Sequence, residues 1–393
     1  MKTKSLTDTV SGNRLRLAVA AAVLALAAVP AQAEKVETKG GLTVTSDDGQ
    51  FSMKLGGRIH FDGYFFDEDL RETTSTTEFR RTRLTLSGKA YGWDYKVEQD
   101  FAAGDNHDGY RDVYIGTSMG PGYLTIGQFK PYRSMEELTS SNEITMMERP
   151  FSSASGLYNG RQFQQGIGYK LKGDMHTLGL SAFNMRNAAS DRNEGVGAAL
   201  RATYTPVRTD SSTLHLGASY SFENANRATP TSSASASYAG RRGPSRTIAT
   251  MAAGEQVDVI GLEVAGTSGP FYAQAEYAMA SFGGGDAGPD QDVTSWYLMG
   301  SWMLTGETKP YNGSNGVFRS VKPKKESGAW ELTARYDFIE NDDVNGVEAS
   351  ATTVGINYYI NPAMRFMMNY TMGEDEVTGD ETRQLALRGQ IAF

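Results

Sequence analysis

The chain has 393 residues with no cysteine, 4 histidines and 46 acidic against 38 basic residues. The missing cysteine excludes a disulfide scaffold and any thiolate metal site or nucleophile, and the acidic balance excludes a nucleic-acid-binding surface. Glycine (44), tyrosine (20) and phenylalanine (17) are plentiful while hydrophobic residues make up only 39%, a profile suited to strands with one apolar and one polar face.

Residues 1–33 are predicted to be a cleaved secretory signal. Lys2, Lys4, Arg14 and Arg16 precede an apolar run from Leu17 to Pro30 that ends in Ala31-Gln32-Ala33 before Glu34, the order of a signal peptide and its small-residue cleavage site. The run is fourteen residues long, short of the ~20 that a spanning helix needs. The mature chain is expected to begin at Glu34 with 34 basic and 45 acidic residues, a net charge of −11. No later stretch reaches eighteen apolar residues, so membrane residence of the mature chain requires strands closed into a barrel. Residues 34–49 read as a short N-terminal segment and 50–393 as the barrel.

The strand pattern starts at once. From Phe51 the odd positions read Phe51, Met53, Leu55, Gly57, Ile59 and Phe61, and the even ones Ser52, Lys54, Gly56, Arg58, His60 and Asp62, one face for lipid and one for water. Similar patterns follow at Leu84–Leu86, Tyr95–Phe101, Val113–Met119, Tyr123–Phe129, Phe163–Leu171, Thr177–Met185 and Val196–Tyr204. They continue at Leu214–Phe222, Val257–Val264, Phe271–Met279, Trp296–Leu304, Trp330–Ile339, Thr353–Ile360, Met364–Tyr370 and Leu385–Phe393. The fold class is therefore all-β, a sixteen-stranded antiparallel transmembrane β-barrel, at about 22 residues per strand and connection over 360 mature residues. A barrel strand takes ~9–11 of these.

Connection lengths set the orientation. Short turns are predicted at Tyr91–Asp94, Gly120–Gly122, Lys172–Asp174, Val207–Ser212, Thr267–Pro270 and Asn361-Pro362, all rich in turn formers and read as periplasmic. Longer connections at Tyr64–Thr77, Pro131–Gly160, Arg186–Gly195, Asn226–Met251, Gly283–Gln291 and Asn341–Glu348 read as extracellular loops. One segment breaks the alternation: Gly306 to Gly328 follows the twelfth strand, where a short turn is due. Either it is an ordered periplasmic insertion or the register fails there. The terminal Phe393 ends an amphipathic strand, as barrel closure requires, and resembles the signal by which outer-membrane proteins are assembled. The expected location is the outer membrane of a Gram-negative bacterium, with lipid, lipopolysaccharide and the barrel-assembly machinery as partners.

Several segments together resemble one family. Glu78-Phe79-Arg80-Arg81-Thr82-Arg83-Leu84, Gly127-Gln128-Phe129-Lys130-Pro131, Glu137-Leu138-Thr139-Ser140-Ser141, Leu304-Thr305-Gly306-Glu307 and Gly328-Ala329-Trp330-Glu331-Leu332 are similar, in this order, to landmarks of the phosphate-selective porin O and P family. The resemblance implies a homotrimer of sixteen-stranded barrels, a third loop folded into the pore, and passive uptake of phosphate or polyphosphate. It also implies a family segment between the fourth and fifth landmarks, where the alternation breaks.

The residues themselves supply candidates for an anion path. An anion sheds water in a constriction only where cations and donors replace it, and guanidinium is suited to the task. By alternation the second strand turns Arg81, Arg83, Thr85, Ser87 and Lys89 inward, and the first turns Arg58 and Lys54. Arg80 stands beside them. The long connection opens with Lys130 and Arg133 and continues through Ser134, Thr139, Ser140, Ser141 and Asn142, cations followed by neutral donors. The resemblance adds a ladder of arginines from the outside inward, for which Arg201, Arg227, Arg241, Arg242, Arg246, Arg319 and Arg335 are candidates. Against this, Glu98, Asp100, Asp108 and Asp112 could pair with the wall cations, as in a general diffusion porin of weak selectivity, the alternative reading. Acidic loops at Asp67–Asp69, Glu340–Asp343 and Glu374–Glu376 oppose an anion funnel; they suit solvation or divalent bridges to lipopolysaccharide. A barrel enzyme is disfavoured, because His60, His107, His176 and His215 fall on separate elements without a nucleophile signature. No cofactor or metal is expected.

Overall fold

The computed structural model describes residues 35–37, 41–103, 109–158, 162–185, 195–224, 232–251, 256–283, 289–341, 343–344 and 346–393. The predicted signal, residues 1–33, lies outside them. Sixteen strands form one barrel: Phe51–Asp67, Thr76–Ala90, Trp93–Asp100, Tyr110–Met119, Gly122–Phe129, Gln164–Lys172, His176–Asn184 and Val196–Arg208, then Ser212–Asn224, Gln256–Ser268, Phe271–Gly283, Gln291–Met303, Ala329–Asn341, Val347–Tyr359, Met364–Asp375 and Arg383–Ala392. Each predicted strand overlaps one of these. Every strand pairs antiparallel with the next, and the last pairs with the first from Arg383↔Asp67 to Ala392↔Arg58. At the seam Gly57 donates to the Phe393 carbonyl at 2.8 Å and Phe393 donates back at 3.1 Å. A side chain at Gly57 would come within 2.7 Å of the Phe393 ring, so the terminal aromatic seats only on a bare backbone.

Alternation along the strands sorts the side chains. In the eighth and tenth strands Leu200, Tyr204, Ile260, Leu262 and Val264 are exposed, while Arg201, Thr203 and Glu263 between them are buried. Large apolar residues stand outward all around the barrel, the band that lipid covers. Phe271 stacks with Trp302 and Trp330 with Tyr358 near the short turns, an aromatic girdle at one interface. At that same rim Lys35–Glu37 pairs with Leu42–Thr45, which pairs with Ser52–Leu55 of the first strand, so part of the N-terminal segment extends the sheet.

One irregularity governs the inner wall. His60 faces Arg81, but the next pair is Phe61 with Phe79. Arg80 is therefore the extra residue of a β-bulge, and two consecutive arginines turn inward where strict alternation would send Arg80 to lipid.

Three segments fill the lumen. The connection 130–163 carries two single-turn helices, Met135–Leu138 and Phe151–Ala154. The connection after the ninth strand forms a hairpin, Ser232–Ala236 against Arg246–Met251, whose Tyr238 and Ile248 pack with the wall residues Val257, Ala280, Phe282 and Ile339. The stretch between the twelfth and thirteenth strands, residues 304–328, contains a small hairpin, Tyr311-Asn312 against Val317-Phe318. The register is thus intact, and the excess length rises into the barrel from the short-turn side. Val317 and Phe318 pack there with Met135, Met146, Tyr272 and Tyr297.

Candidate functional site

The described part of the connection 130–163, residues 130–158 and 162–163, is a shelf held by several strands of the wall. Arg58 donates to the Ser141 hydroxyl at 3.0 Å, Arg365 to the Ile144 carbonyl at 3.0 Å, Asn357 to Thr145 at 2.9 Å, Arg388 to Met147 at 2.7 Å and Arg335 to Glu148 at 2.8 Å. Across the lumen the Glu276 carboxylate accepts the amides of Met135 and Glu136 at 2.9 and 2.8 Å, which satisfies free N–H groups at a helix start. Residues 304–328 brace the shelf from below. Lys309 pairs with Glu331 at 2.9 Å and donates to Thr145 at 3.1 Å, and Ser320 donates to the Asn142 carbonyl at 3.0 Å. Above, the outer hairpin is latched: Tyr238 donates to Asp380 at 2.7 Å, Arg241 and Arg242 to Glu78 at 2.9 and 2.8 Å, and Arg246 to Asp375 at 2.9 Å.

Between shelf and wall lies a cavity of about 310 Å³. Its charged lining is Arg58, Arg83, Lys96, Lys130, Arg149, Lys170 and Arg201 against Glu98 and Asp112, an excess of five positive charges. Some cations are matched: Arg58 meets Glu98 at 3.1 Å, Arg83 meets Glu98 and Asp100 at 2.9 and 2.8 Å, Lys96 meets Asp112, and Arg201 meets Glu263 at 2.7 Å. Others are not. Lys130 donates to the carbonyls of Glu137 and Thr139 at 2.5 and 3.3 Å, Arg149 to those of Glu136 and Thr139 at 3.0 and 2.6 Å, and Lys170 to the Asn315 amide oxygen. None of these three forms an ion pair among the described residues. Burial, with Arg149 alongside, holds the Lys130 ammonium well below the usual lysine range. Burial alone would raise the Glu148 carboxyl, but Arg80 and Arg81 hold it well below the usual range.

The structure places the sequence candidates in three groups. Arg58, Arg83, Lys130, Ser140, Ser141 and Arg201 line the cavity. Arg80, paired with Glu148 at 2.8 Å, and Arg241 line a second cavity of about 180 Å³ above the shelf; the exposed Arg242 stands further out. The rest stand apart. Lys89 is exposed at the strand end, 3.8 Å from Asp94. Arg81 is buried beside His60 at 3.5 Å. Arg133 is fully buried, paired with Glu137 at 3.0 Å and with Glu223, its guanidinium 4.6 Å from the Tyr158 ring. Ser134 caps the first helix by accepting from the Glu137 amide at 3.1 Å. Arg133 and Ser134 therefore anchor the shelf instead of facing the cavity. Arg227 lies outside the described residues. Sequence reading missed Lys96, Lys170 and Arg149. Alternation could have found Lys96, which shares the inward face with Glu98 and Asp100, and Lys170, which follows Gly166 and Gly168 in step. Nothing periodic marks Arg149, on a loop.

Sequence comparison matches residues 53–393 to the family described as phosphate-selective porin O and P. The chain belongs to that family. It is an outer-membrane porin, a channel protein. Porin O of Pseudomonas aeruginosa is 31% identical over 388 residues, covering 88% of each chain. An uncharacterised protein of Caulobacter vibrioides is 29% identical, over 87% of this porin and 72% of the relative. Among solved structures, a loop-deletion form of OmpT from Vibrio cholerae superposes with a TM-score of 0.60 at 12% identity over 88% of this porin and 100% of that chain. An anion-selective porin from Comamonas acidovorans gives 0.57 at 14% identity over 87% and 100%. At such identity these two support the barrel fold alone.

Proposed function

We propose that this porin conducts anions selectively, with phosphate or pyrophosphate as its preferred cargo, through the cavity between the shelf and strands one to eight. The three lining cations without a carboxylate partner among the described residues, Lys130, Arg149 and Lys170, carry the reading. An oxyanion entering gives up hydration and meets Lys130, Arg149 and Lys170, none of which spends its charge on a carboxylate, with the Ser140 and Ser141 hydroxyls beside them. Fixed cations and donors in a water-poor passage replace hydration directly. Membership of a phosphate-selective family and the 31% identity to Porin O of Pseudomonas aeruginosa support the same direction.

The network of Arg58, Arg83, Arg111, Glu98 and Asp100 favours a second reading, a general porin with a transverse field. Reversal potential across a planar bilayer under a KCl gradient separates the two. Anion preference, with chloride current blocked by added phosphate, is expected; a reversal potential near zero without block would favour the general porin, and cation preference would remove both phosphate and pyrophosphate. Export through cleavage after Ala33, association into homotrimers and contact with lipopolysaccharide belong to the same proposal. The N-terminal residue of the mature protein tests the first.

A further inference from the structure

We propose that the passage also recognises and admits organic anions with a flat apolar body, aryl phosphates being the simplest, as an extension that rests on the anion-selective reading above. The cavity carries a second surface that inorganic phosphate has no use for. Tyr114, Tyr123 and Tyr132 line it together with the cations, from the fourth strand, the fifth strand and the start of the shelf. Two of these rings lie on glycines of the wall. A side chain at Gly116 would meet the Tyr123 ring at 2.7 Å, and one at Gly179 would meet Tyr132 at 2.6 Å. Both rings therefore pack against bare backbone of the wall at the edge of the cavity they line. Tyr123 is also fixed at its edge, its hydroxyl donating to Asp94 at 2.7 Å.

The two surfaces are complementary in what they hold. Lys130 is two residues from Tyr132, and Lys170 is the cross-strand partner of Tyr123, all four lining the cavity, so a charged head can sit on an ammonium that has no carboxylate among the described residues while an attached ring lies on a phenol. The volume allows it. About 310 Å³ is the room of roughly ten waters at ~30 Å³ each, and it reaches the lower bound of ~300 Å³ at which small-molecule sites begin. A bare oxyanion needs far less. Offset or edge-on contact between rings adds to apolar burial, and amphipathic aromatic surfaces beside fixed cations suit a substrate that is itself half apolar and half charged.

The test compares inorganic phosphate, methyl phosphate and phenyl phosphate as blockers of chloride current through the full-length porin in planar bilayers, with entry of phenyl phosphate into porin-bearing liposomes read alongside. Phenyl phosphate is expected to block at a concentration roughly three- to tenfold lower than methyl phosphate, the range that one aromatic contact supplies, and to enter the liposomes. In Tyr132→Ala and Tyr114→Ala that difference should shrink while block by inorganic phosphate stays. Equal block by the phenyl and methyl esters in the unmodified porin, or exclusion of phenyl phosphate where phosphate passes, overturns the inference and leaves anion selectivity standing. Absence of block by all three overturns both. Because the unmodified porin decides the matter alone, failure of a tyrosine variant to assemble does not shield the inference.

Discussion

At the scale of single residues, charge and its partners separate filter from scaffold. Lys130 and Lys170 face the cavity without carboxylates, so exchanging either for Glu alters local charge by two units close to the ion. At ~4–6 Å and an effective dielectric of ~20 that is worth roughly a few kcal/mol. Lys130→Glu with Lys170→Glu is expected to move the reversal potential toward cations, whereas Arg242→Glu, on the exposed outer hairpin, should mainly lower conductance at low salt, because distant charges are screened. Unchanged anion preference in the double variant would move the filter elsewhere. Arg133 makes the opposite case. Removing it leaves Glu137 and Glu223 buried without their cation, a loss on the order of 3–5 kcal/mol. Arg133→Ala should lower the temperature at which the folded band disappears from gels of partly heated samples. Lys130 also sets a pH dependence. Its ammonium is held well below the usual lysine range by burial and by Arg149, so the charge is present at low pH and is lost as pH rises, before ordinary lysines titrate near ~10.4. Anion preference should fall on raising the pH toward ~10, and Lys130→Arg should flatten the curve, because guanidinium stays charged. A flat curve in the unmodified porin would remove Lys130 from the filter.

At the scale of elements, the bulge at Arg80 and the inner hairpin are two departures from a regular barrel, and each has a distinct use. The bulge turns both Arg80 and Arg81 inward, and Arg80 then reaches Glu148 on the shelf. Deleting Arg80 restores regular alternation, with Glu78 inward, Phe79 outward and Arg81 inward, so the folded barrel should still form and lose only that tether. Deleting Thr82 in the same strand flips every side chain on one side of the cut to the wrong face and should abolish the heat-modifiable folded band. Residues 304–328 act on the shelf through Lys309 and Ser320. Replacing 307–326 by a short Gly/Ser turn should leave the sixteen strands paired while conductance rises and phosphate block weakens. Unaltered conductance would mean that the shelf holds itself.

At the scale of the whole molecule, the outward band of Leu, Ile, Val and aromatic side chains is continuous around a closed sheet. No sheet edge remains for stray pairing along the spanning part of the strands, and the apolar wall is left for lipid and for neighbouring copies. Unboiled samples are expected to migrate on SDS gels as a homotrimer that collapses to one band on heating; a single monomer band before heating, with a monomer mass in mild detergent, would count against it.

The sequence by itself determined the barrel, its strand number and the direction in which most side chains point, because period-two alternation and Gly/Pro/Asn turns are local signals that need no partner to be read. It also marked residues 304–328 as anomalous without saying where they go. Only the tertiary structure decided which cations face the cavity and which are consumed by carboxylates. Arg83 and Lys170 alternate inward alike, yet one meets Glu98 and Asp100 and the other an amide oxygen. Pairing depends on what a loop or a distant strand brings within about 3 Å, and for Arg133 and Glu223 those partners lie ninety positions apart along the chain.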